Sequence, residues 1–586
     1  MNVIDLNEMT DDTRIKADVI IIGGGLAGII LAKELFHSNI KVVILESGGL
    51  EETAENEKLN AVENTGDSKS DIQMEARHRF HGANTKYWSD EIQAFGVRCR
   101  VVGGSTVAWA GKSAPFDPID FERRSWIANS GWPLSNEELE PFVERAAAHL
   151  NLGPAINDQA LWSQFGVPPD KILDQLLSFR SYFWQFARSI SDPLDVLRIG
   201  ADFIKSTAKN VHLFINSTVT QLHVEEGGAR FGYADVSSTN GSKKVTVEGS
   251  VAVIAAGAIE NARLLLMSRA HDGRGIGNLH DNVGRYLMDH PSARVGSFTK
   301  EDCEKAYRPF RFLALRHNNN THMYMHGMAM RPDVQAQDRR PNCAFYFLEN
   351  RARDDPWDAI KRLLKRTSND ALADFYSALS SPRTLVIGIG RKMLQSAKFP
   401  DRLKKVLIDI VIALNPNFVV REFLSGGLPH KLDGLYIDVI TEQPPLRDNR
   451  ITLSDKKDRL GLPIARVRWS LGVETMSAIA DVARRIRAEF VNAGLPEPKL
   501  ERWVLEEAFH EAPVIDMAHT AGTTRMSLEP EWGVVDENCM VHGVSNLYVA
   551  GASVFPTSGH ANPTLMIAAL TVRLADKLKA LDLAQR

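Results

Sequence analysis

Two short, fully apolar segments lie near the start of the chain, at residues 19–22 and 42–45. Runs of this length without polar alternation are typical of strands inside a parallel sheet, where both faces are covered. Between them, apolar residues at helical spacing predict a helix over residues 26–35. The order strand, helix, strand predicts a βαβ unit in this region.

Three glycines stand between the first predicted strand and the helix. Gly23, Gly25 and Gly28 have the spacing G-x-G-x-x-G, and the second strand ends at Glu46. Such glycines allow a tight turn and close approach of the backbone to a pyrophosphate, which the N-terminus of the helix stabilises. Glu46 can accept hydrogen bonds from an adenosine ribose and disfavours a 2′-phosphate, so NADP is not expected. Together these features predict a dinucleotide site.

Both ends of the chain contribute to the same predicted sheet. Strands are predicted over residues 212–224 and 244–259, and Gly257 begins a turn into another helix. A further strand is predicted over residues 547–550, followed by Gly551. The first βαβ unit is not continued by similar units, which disfavours a nicotinamide enzyme. The pattern favours a doubly wound α/β sheet with a large inserted middle, as in flavoproteins that enclose FAD.

The segment "PTSGHANPTLMIAAL" predicts the start of a buried helix near the C-terminus. Asn562 is a favoured N-cap residue, and Pro563 is tolerated at the first helical position because its missing N–H would be unpaired there. His560 comes two residues earlier. These polar residues either only cap the helix, or the helix directs its positive end at a group that becomes negative.

The middle of the chain has a different pattern. Residues 300–345 and 435–470 contain alternating stretches that predict an antiparallel sheet over the flavin. Residues 351–428 predict a helical insert, with apolar residues at helical spacing over 403–414. Its segment 391–405 carries six basic residues and one acidic residue. A lid or an oligomer contact is favoured over a helix on an anionic membrane, which remains the alternative.

Composition excludes several classes of protein. The chain has 586 residues, more than one hydrophobic core usually supports, and its net charge of −4 argues against nucleic-acid binding. The four cysteines lie far apart, so neither a metal site nor an iron–sulfur cluster is expected. No secretory signal is present, and no apolar run approaches the roughly 18 residues of a membrane span. These features predict a soluble, cytoplasmic protein.

Eight motifs along the chain resemble those of the glucose–methanol–choline (GMC) oxidoreductases. The resemblance extends over about residues 17–300 and 435–580. The motifs are "IIGGGLAGIILAKEL", "VVGGSTVAWAG", "SGWPLSNEELEPF", "AAGAIENARLLL", "VGRYLMDHP", "EQPPLRDNRITLS", "HTAGTTRM" and "VFPTSGHANPT". The form "SGHANPT" is most similar to the branch of pyranose oxidases and bacterial sugar dehydrogenases.

Pattern and resemblance together imply an α/β fold, with a Rossmann-like FAD-binding domain of the glutathione-reductase type and an inserted α+β substrate domain on an antiparallel sheet. Residues 1–300 are predicted to be mainly FAD-binding domain, with a flavin-wrapping loop at 99–118. Residues 301–510 are predicted to be mainly substrate domain, and residues 511–586 return to the FAD-binding domain with the catalytic segments.

The resemblance also implies an active site. The family pairs a histidine from an "HxxGTxRM" segment with a histidine or asparagine from the C-terminal segment, and these positions hold His519 and Asn562. His519 is predicted to be the base and Asn562 its partner. His560 lies two residues before the matching position and is predicted to be a further residue of the same cavity. His290, in "MDHP", is predicted to serve a structural turn.

The predicted cofactor is noncovalent FAD, because Ala108 stands where some relatives carry a linking histidine. The predicted cofactor-binding residues are Gly23, Gly25, Gly28, Glu46, Gly103, Gly104, Ser105, Val219, Gly257, Gly551, Asn562, Pro563 and Thr564.

The implied activity is FAD-dependent oxidation of an alcohol, with hydride transfer to flavin N5 and proton transfer to His519. A secondary hydroxyl of a sugar or glycoside is the favoured substrate group. The alternatives are a bulky apolar alcohol of the sterol or terpenoid kind, or a non-redox flavin lyase of the same family. A dehydrogenase is favoured over an efficient oxidase. The sequence does not determine the electron acceptor, which is quinone-like or oxygen. A weak contact with a membrane surface and a homo-oligomer are both compatible with it.

Overall fold

The computed structural model describes residues 1–82, 84–189, 195–268, 273–310, 312–318, 320–352, 354–356, 359, 363, 370–380, 410 and 432–581. In this part of the chain the strands form an eight-stranded, a nine-stranded and a three-stranded sheet. The α-helices are Leu26–Glu34, Ala54–Glu57, Asp71–Arg77, Pro118–Phe121, Asn136–His149, Leu161–Phe165, Ile199–Ile204, Ala258–Met267, Lys300–Tyr307, Pro332–Asp338, Ala371–Leu379, Gly472–Asn492, Arg502–Leu505 and Thr564–Ala580.

The eight-stranded sheet combines both ends of the chain. Its parallel strands are Asn2–Asp5, Val211–Ile215, Val42–Leu45, Thr13–Ile22, Lys244–Ile254 and Leu547–Val549. An antiparallel pair, Phe231–Ser238 and Ser217–Val224, extends the sheet beside Lys244–Ile254. The predicted βαβ unit is present, and the fold class predicted from the sequence is confirmed.

The strand Thr13–Ile22 is longer than its apolar half predicted. Its first residues alternate in burial and pair with the polar start of Lys244–Ile254, whereas its last four residues are buried. The apolar run therefore predicts the part of the strand that is buried on both faces. The C-terminal helix Thr564–Ala580 packs against Leu26–Glu34 and Asn136–His149 on one face of this sheet.

The nine-stranded sheet is antiparallel throughout. It consists of Lys112–Ser113, Phe179–Phe186, Asn320–Met330, Phe312–His317, Cys343–Arg351, Leu432–Thr441, Pro291–Thr299, Lys499–Leu500 and Ile515–Asp516. The predicted alternation over residues 300–345 is part of it. The long helix Gly472–Asn492 covers one face with Ile479, Ala483 and Ile486, which form a second hydrophobic core with the sheet.

The sequence predicts that residues 300–345 and 435–470 form one antiparallel sheet. This prediction is wrong for the strands after residue 441. Leu432–Thr441 joins the nine-stranded sheet, but Arg450–Lys457 and Pro463–Arg468 form the three-stranded sheet with Val62–Asn64. The two consecutive prolines at 444 and 445 explain the change, because proline cannot donate to a strand ladder and ends the pairing there.

The helical insert predicted over residues 351–428 lies largely outside the described residues, as do its segments 391–405 and nearly all of 403–414. Within the described part, this region contains the helix Ala371–Leu379. No helix among the described residues is long and apolar enough to cross a membrane. The domain boundaries given above stay predictions, although Phe179–Phe186 already shows that the nine-stranded sheet draws on the N-terminal half.

Candidate active site

A cavity of about 720 Å³ extends along the carboxyl ends of the parallel strands and under the nine-stranded sheet. One end is lined by Glu46, Val219 and Gly257, and the other by His519 and Asn562. Its volume is within the range of pockets that hold cofactors or small molecules. Ligands of doubly wound α/β sheets bind at this edge, beyond the carboxyl ends of the strands.

The first of these ends is built from backbone. Helix Leu26–Glu34 begins at the cavity, where Gly25 and Leu26 form part of the wall and the unpaired N–H groups of the helix start favour a phosphate. A Cβ on Gly25 would lie 4.0 Å from the nearest atom, Gly104 Cα, so this glycine leaves open space at the wall. A Cβ on Gly28 would lie 2.0 Å from the Gly23 carbonyl oxygen. Gly28 therefore serves helix–strand packing, and it does not line the cavity.

Glu46 holds the turn as well as lining the cavity. Its Oε2 accepts a hydrogen bond from the Gly24 N–H at 2.7 Å, and its Oε1 accepts one from the Gly48 N–H at 2.7 Å. Burial raises the pKa of this carboxyl, although both backbone bonds oppose the shift. A carboxylate oxygen can accept more than one hydrogen bond, so the predicted ribose contact remains compatible with these bonds.

The residues of the wall fit FAD. Gly257 has φ +85°, and a Cβ there would meet no atom within 4 Å, so the backbone faces open space. Gly103 and Gly104 also have positive φ, which favours glycine. The buried Oδ1 of Asn562 has no hydrogen-bond partner among the described residues. Of the predicted cofactor residues, those on the cavity wall are Gly23, Gly25, Glu46, Gly103, Gly104, Ser105, Val219, Gly257, Gly551, Asn562, Pro563 and Thr564.

His519 and Asn562 meet at the other end of the cavity, where Asn562 Nδ2 lies 3.1 Å from His519 Nε2. The prediction that Asn562 caps the C-terminal helix is wrong. The helix is Thr564–Ala580, Pro563 precedes it with helical dihedral angles, and no side chain caps it. The carboxamide of Asn562 contacts His519 instead, so it lines the cavity and does not cap the helix.

His290 contacts the other ring nitrogen of His519. The two Nδ1 atoms lie 2.9 Å apart, and His290 Nε2 lies 3.2 Å from the carbonyl oxygen of Ser558. Since a carbonyl only accepts, His290 Nε2 carries the hydrogen and His290 Nδ1 is the acceptor. His519 Nδ1 then donates to His290, which leaves His519 Nε2 with a free lone pair directed at Asn562.

Asp289 fixes the backbone around both histidines. Its Oδ1 accepts hydrogen bonds from the N–H groups of His290, Met517 and His519 at 2.8, 2.9 and 3.1 Å. Burial raises the pKa of Asp289 to about 8, and the neighbouring Asp516 adds to the shift. One carboxyl group thus joins segments more than 200 residues apart and sets the position of the imidazole pair.

The site keeps its histidines neutral. Burial, followed by the charges of His290 and Lys112, holds the pKa of His519 well below its usual range. Burial lowers the pKa of His290 to about 4. Both imidazoles are therefore uncharged at neutral pH, and His519 Nε2 is available to accept a proton.

His560 is set apart from this pair. It is completely buried, its ring lies 4.6 Å from that of Tyr182, and neither ring nitrogen has a hydrogen-bond partner among the described residues. It is not part of the cavity wall. Burial lowers its pKa to about 3. The predicted alternation that would carry His560 into the cavity is thus not found, and a catalytic role for it has no geometric support.

The predicted flavin-wrapping loop contains one turn of 3-10 helix, Gly104–Val107, and then the short strand Lys112–Ser113. Ala108 lies in the cavity wall, where it offers no side chain for a covalent link. Trp109 Nε1 donates to the Leu197 carbonyl oxygen at 2.8 Å and so anchors the loop. Lys112 also lies in the wall.

Sequence reasoning missed three residues of this site: His290, Asp289 and Lys112. The first two lie in the "MDHP" motif, whose proline predicts a structural turn. A histidine next to an acid in a motif far from the other site residues was the available signal. Lys112 had none, because one lysine after a glycine-rich loop does not differ from a surface lysine.

Three comparisons bear on this geometry. Residues 445–571 match the GMC oxidoreductase family. The chain is 22% identical to the fructose dehydrogenase large subunit of Gluconobacter japonicus, over 97% of this chain and 99% of that one. It is also 22% identical to paromamine 6'-oxidase of Streptomyces fradiae, over 98% of this chain and 93% of that one. The structure of pyridoxine 4-oxidase from Mesorbium loti has a similar fold, with a TM-score of 0.54 and 17% identity over 96% of this chain and 99% of that one.

The fold, the dinucleotide-binding wall and the partly buried histidine–asparagine pair define a flavin-dependent oxidoreductase that acts on an alcohol group. The C-terminal part of the chain, residues 445–571, is a GMC oxidoreductase segment, and the cofactor of the enzyme is FAD.

Proposed function

We propose that this enzyme oxidises a secondary hydroxyl group of a sugar or glycoside, with His519 as the base. The observation that carries the proposal is the contact between His519 Nε2 and Asn562 Nδ2 in the wall of the FAD cavity. The names of two relatives, a fructose dehydrogenase and a paromamine 6'-oxidase, support a substrate of the sugar class.

The proton step follows from the hydrogen bonds of the site. A substrate hydroxyl placed between His519 and Asn562 donates its hydrogen to His519 Nε2 and accepts a hydrogen bond from Asn562 Nδ2. His519 Nδ1 keeps its hydrogen bond to His290, so the ring holds its orientation while it takes up the proton. Bound FAD would supply the acceptor for the hydride that leaves the alcohol carbon. General-base catalysis of this kind supplies about 10²–10⁴-fold in rate.

The walls near His519 fit the faces of a sugar ring. Phe312 and Tyr346 are aromatic residues of the cavity wall and belong to the first hydrophobic core, whereas Tyr307 and Phe347 pack into the second core. Aromatic faces pack against the C–H faces of pyranose rings, while the polar pair addresses one hydroxyl. The same aromatic wall also favours the second candidate, oxidation of a bulky apolar alcohol, so the substrate class has to be tested directly.

Anaerobic flavin reduction tests the proposal. Enzyme is mixed without oxygen with sugars, glycosides and lipophilic alcohols, and the loss of flavin absorbance is followed. Sugars or glycosides should bleach the flavin, and His519→Ala, with FAD bound, is the control for a reaction at this site. Deuterium at a secondary ring carbon should slow bleaching, and deuterium at a primary carbon should not.

Reduction by lipophilic alcohols alone contradicts the proposal. A primary isotope effect at the terminal carbon contradicts the oxidation of a secondary hydroxyl group. No reduction by any alcohol favours the lyase alternative.

FAD is proposed to bind without a covalent link, because Ala108 lies where a linking side chain would be needed. Acid precipitation of the protein should leave the yellow colour in the supernatant. Flavin that stays in the washed pellet contradicts this part of the proposal.

The enzyme is further proposed to act as a dehydrogenase with a quinone-like acceptor. Reoxidation of the substrate-reduced enzyme should be slow in air-saturated buffer and fast with a soluble quinone. Rapid reoxidation by oxygen with one peroxide formed per flavin would make it an oxidase.

A further inference from the structure

Lys112 places an ammonium group in the wall of the active-site cavity. It begins the short strand Lys112–Ser113, which pairs with Phe186 and Gln185 of the neighbouring strand. Its side chain is partly buried and lies in the cavity wall. Within the described residues, its ammonium group has neither a hydrogen-bond acceptor nor a carboxylate at ion-pair distance.

Two aromatic rings hold this ammonium group in place. Lys112 Nζ lies 4.2 Å from the ring centroid of Trp184 and 3.9 Å from that of Tyr346. The two rings also contact each other, with centroids 5.7 Å apart. Gly327 makes this possible, because a Cβ there would lie 2.7 Å from Cζ3 of Trp184. The sheet thus leaves space for Trp184 to lie beside Tyr346, under the lysine.

The aromatic contacts do not replace an anion. A cation–π contact contributes roughly 0.5–2 kcal/mol, whereas removing an ammonium group from water costs several kcal/mol. Asp438, the cross-strand neighbour of Tyr346, is the carboxyl group whose charge acts on Lys112, but no ion pair between the two side chains is present among the described residues. Burial accordingly lowers the pKa of Lys112 to about 7. Among the described residues no anion lies at ion-pair distance from the ammonium group, so an anionic ligand bound there would favour the charged form of Lys112.

Lys112 is also close to the reacting groups. Its charge is one of the causes that lower the pKa of His519, so both side chains share one electrostatic environment. Both line the same cavity. A small molecule with a hydroxyl group at His519 can therefore place a second group at Lys112.

We infer that Lys112 binds a carboxylate group of the substrate, so that the substrate is a sugar acid. One ammonium group matches the single charge of a carboxylate, and the planar group fits beside the Trp184 and Tyr346 rings. A phosphate would carry about two charges, which one lysine does not balance. This inference rests on the proposed function for the alcohol group but not for the anion site.

A binding experiment tests the site without turnover. Oxidised holoenzyme is titrated with tetrahydropyran-2-carboxylate and with tetrahydropyran-2-carboxamide, and binding is measured by calorimetry. These compounds have the ring of a sugar acid but no hydroxyl to oxidise. The wild-type enzyme should bind the carboxylate about tenfold or more tightly than the amide.

Three variants assign the effect. Lys112→Met keeps the length of the side chain and should remove the preference for the carboxylate, whereas Lys112→Arg should retain most of it. Lys86→Met is the matched control, because Lys86 is an exposed lysine beside the Tyr87 ring and outside the cavity wall. It should bind as the wild type does.

Equal binding of the carboxylate and the amide by the wild type overturns the inference. It is also overturned if Lys112→Met changes the absorption spectrum of FAD or its affinity while the carboxylate preference stays, because the ammonium group then serves the cofactor. Tight carboxylate binding by an enzyme whose flavin no alcohol reduces supports the anion site and contradicts the proposed function. With active enzyme, a uronic acid should reduce the flavin at lower concentration than the matching neutral sugar, and Lys112→Met should remove this difference.

Discussion

The two ends of the active-site cavity are built in different ways. At the dinucleotide end, the wall includes backbone, glycines and a helix start from the first 50 residues, joined by residues near 219 and 257. At the histidine end, the wall includes side chains at positions 112, 346, 519 and 562, and His290 contacts His519. The first end recognises a cofactor through a local backbone shape, and the second performs chemistry through contacts between distant segments.

This difference predicts different responses to mutation. At the dinucleotide end a substitution should change cofactor affinity or packing and leave the chemistry of the bound enzyme intact. At the histidine end a substitution should change the rate of flavin reduction while FAD stays bound. Variants that mix these two responses would show that the ends are coupled.

The largest effect is expected for His519→Ala. Removal of the base should slow flavin reduction by about 10²–10⁴-fold, because the substrate proton has no acceptor. Rapid mixing under anaerobic conditions measures the rate, and the flavin absorbance of the purified protein confirms that FAD is retained. A loss of FAD in this variant would contradict the prediction that substitutions at the histidine end leave cofactor binding unchanged.

Gly25→Ala should weaken the binding of FAD without a change in the stability of the apoprotein. The backbone of Gly25 has φ −81°, which alanine tolerates, and its Cβ would point into open space at the wall. Overpacking of this kind costs about 1–3 kcal/mol, so FAD should bind about 10–10²-fold more weakly. Titration of apoprotein with FAD measures this.

Gly28→Ala is the matched control for Gly25→Ala. Its Cβ would lie 2.0 Å from the Gly23 carbonyl oxygen, so it should lower the melting temperature of the apoprotein. Gly25→Ala should leave that temperature unchanged. If both variants melt alike, the packing role of Gly28 is wrong.

His290→Phe should slow flavin reduction by about 10–10²-fold, the usual cost of removing a group that orients another. The ring volume is kept, but His519 Nδ1 loses its acceptor. His290→Gln, whose amide oxygen can accept that hydrogen bond, should recover part of the rate. Equal rates for the two variants would indicate that His290 only fills space.

The pH dependence of flavin reduction should report the low pKa of His519. Neutral imidazole is the active form, and a lowered pKa keeps it neutral at more acidic pH. The rate should therefore stay constant above pH about 6.5, the usual histidine value, and fall only well below it. An acid limb centred at or above 6.5 contradicts the burial argument.

The smallest effect is expected for His560→Phe. Its ring is packed against Tyr182, and neither nitrogen has a partner among the described residues. Replacement by another ring should change flavin reduction by less than about threefold, since buried polar groups without partners contribute little that is favourable. A slower reaction than in His519→Ala would reverse the roles assigned to the two histidines.

The dinucleotide end could be predicted from sequence because its determinants are close together along the chain. Apolar residues 19–22 and 42–45, the glycines between them and Glu46 lie within one βαβ unit, so their spacing carries the geometry. The histidine end was only partly predictable. The roles of His519 and Asn562 came from resemblance to a family, and the hydrogen bond of Asn562 to His519 in place of a helix cap did not follow from local rules.

The tertiary structure alone decided three features: the contact of His290 with His519, the isolation of His560 and the position of Lys112 between two aromatic rings. Each depends on strands or loops that approach one another from far apart in the chain. Local propensity reports whether a segment forms a strand, a turn or a helix, but it carries no information about which distant side chain it will meet. For the same reason the pKa of a histidine cannot be read from its neighbours in sequence, since burial in the assembled fold is its largest cause.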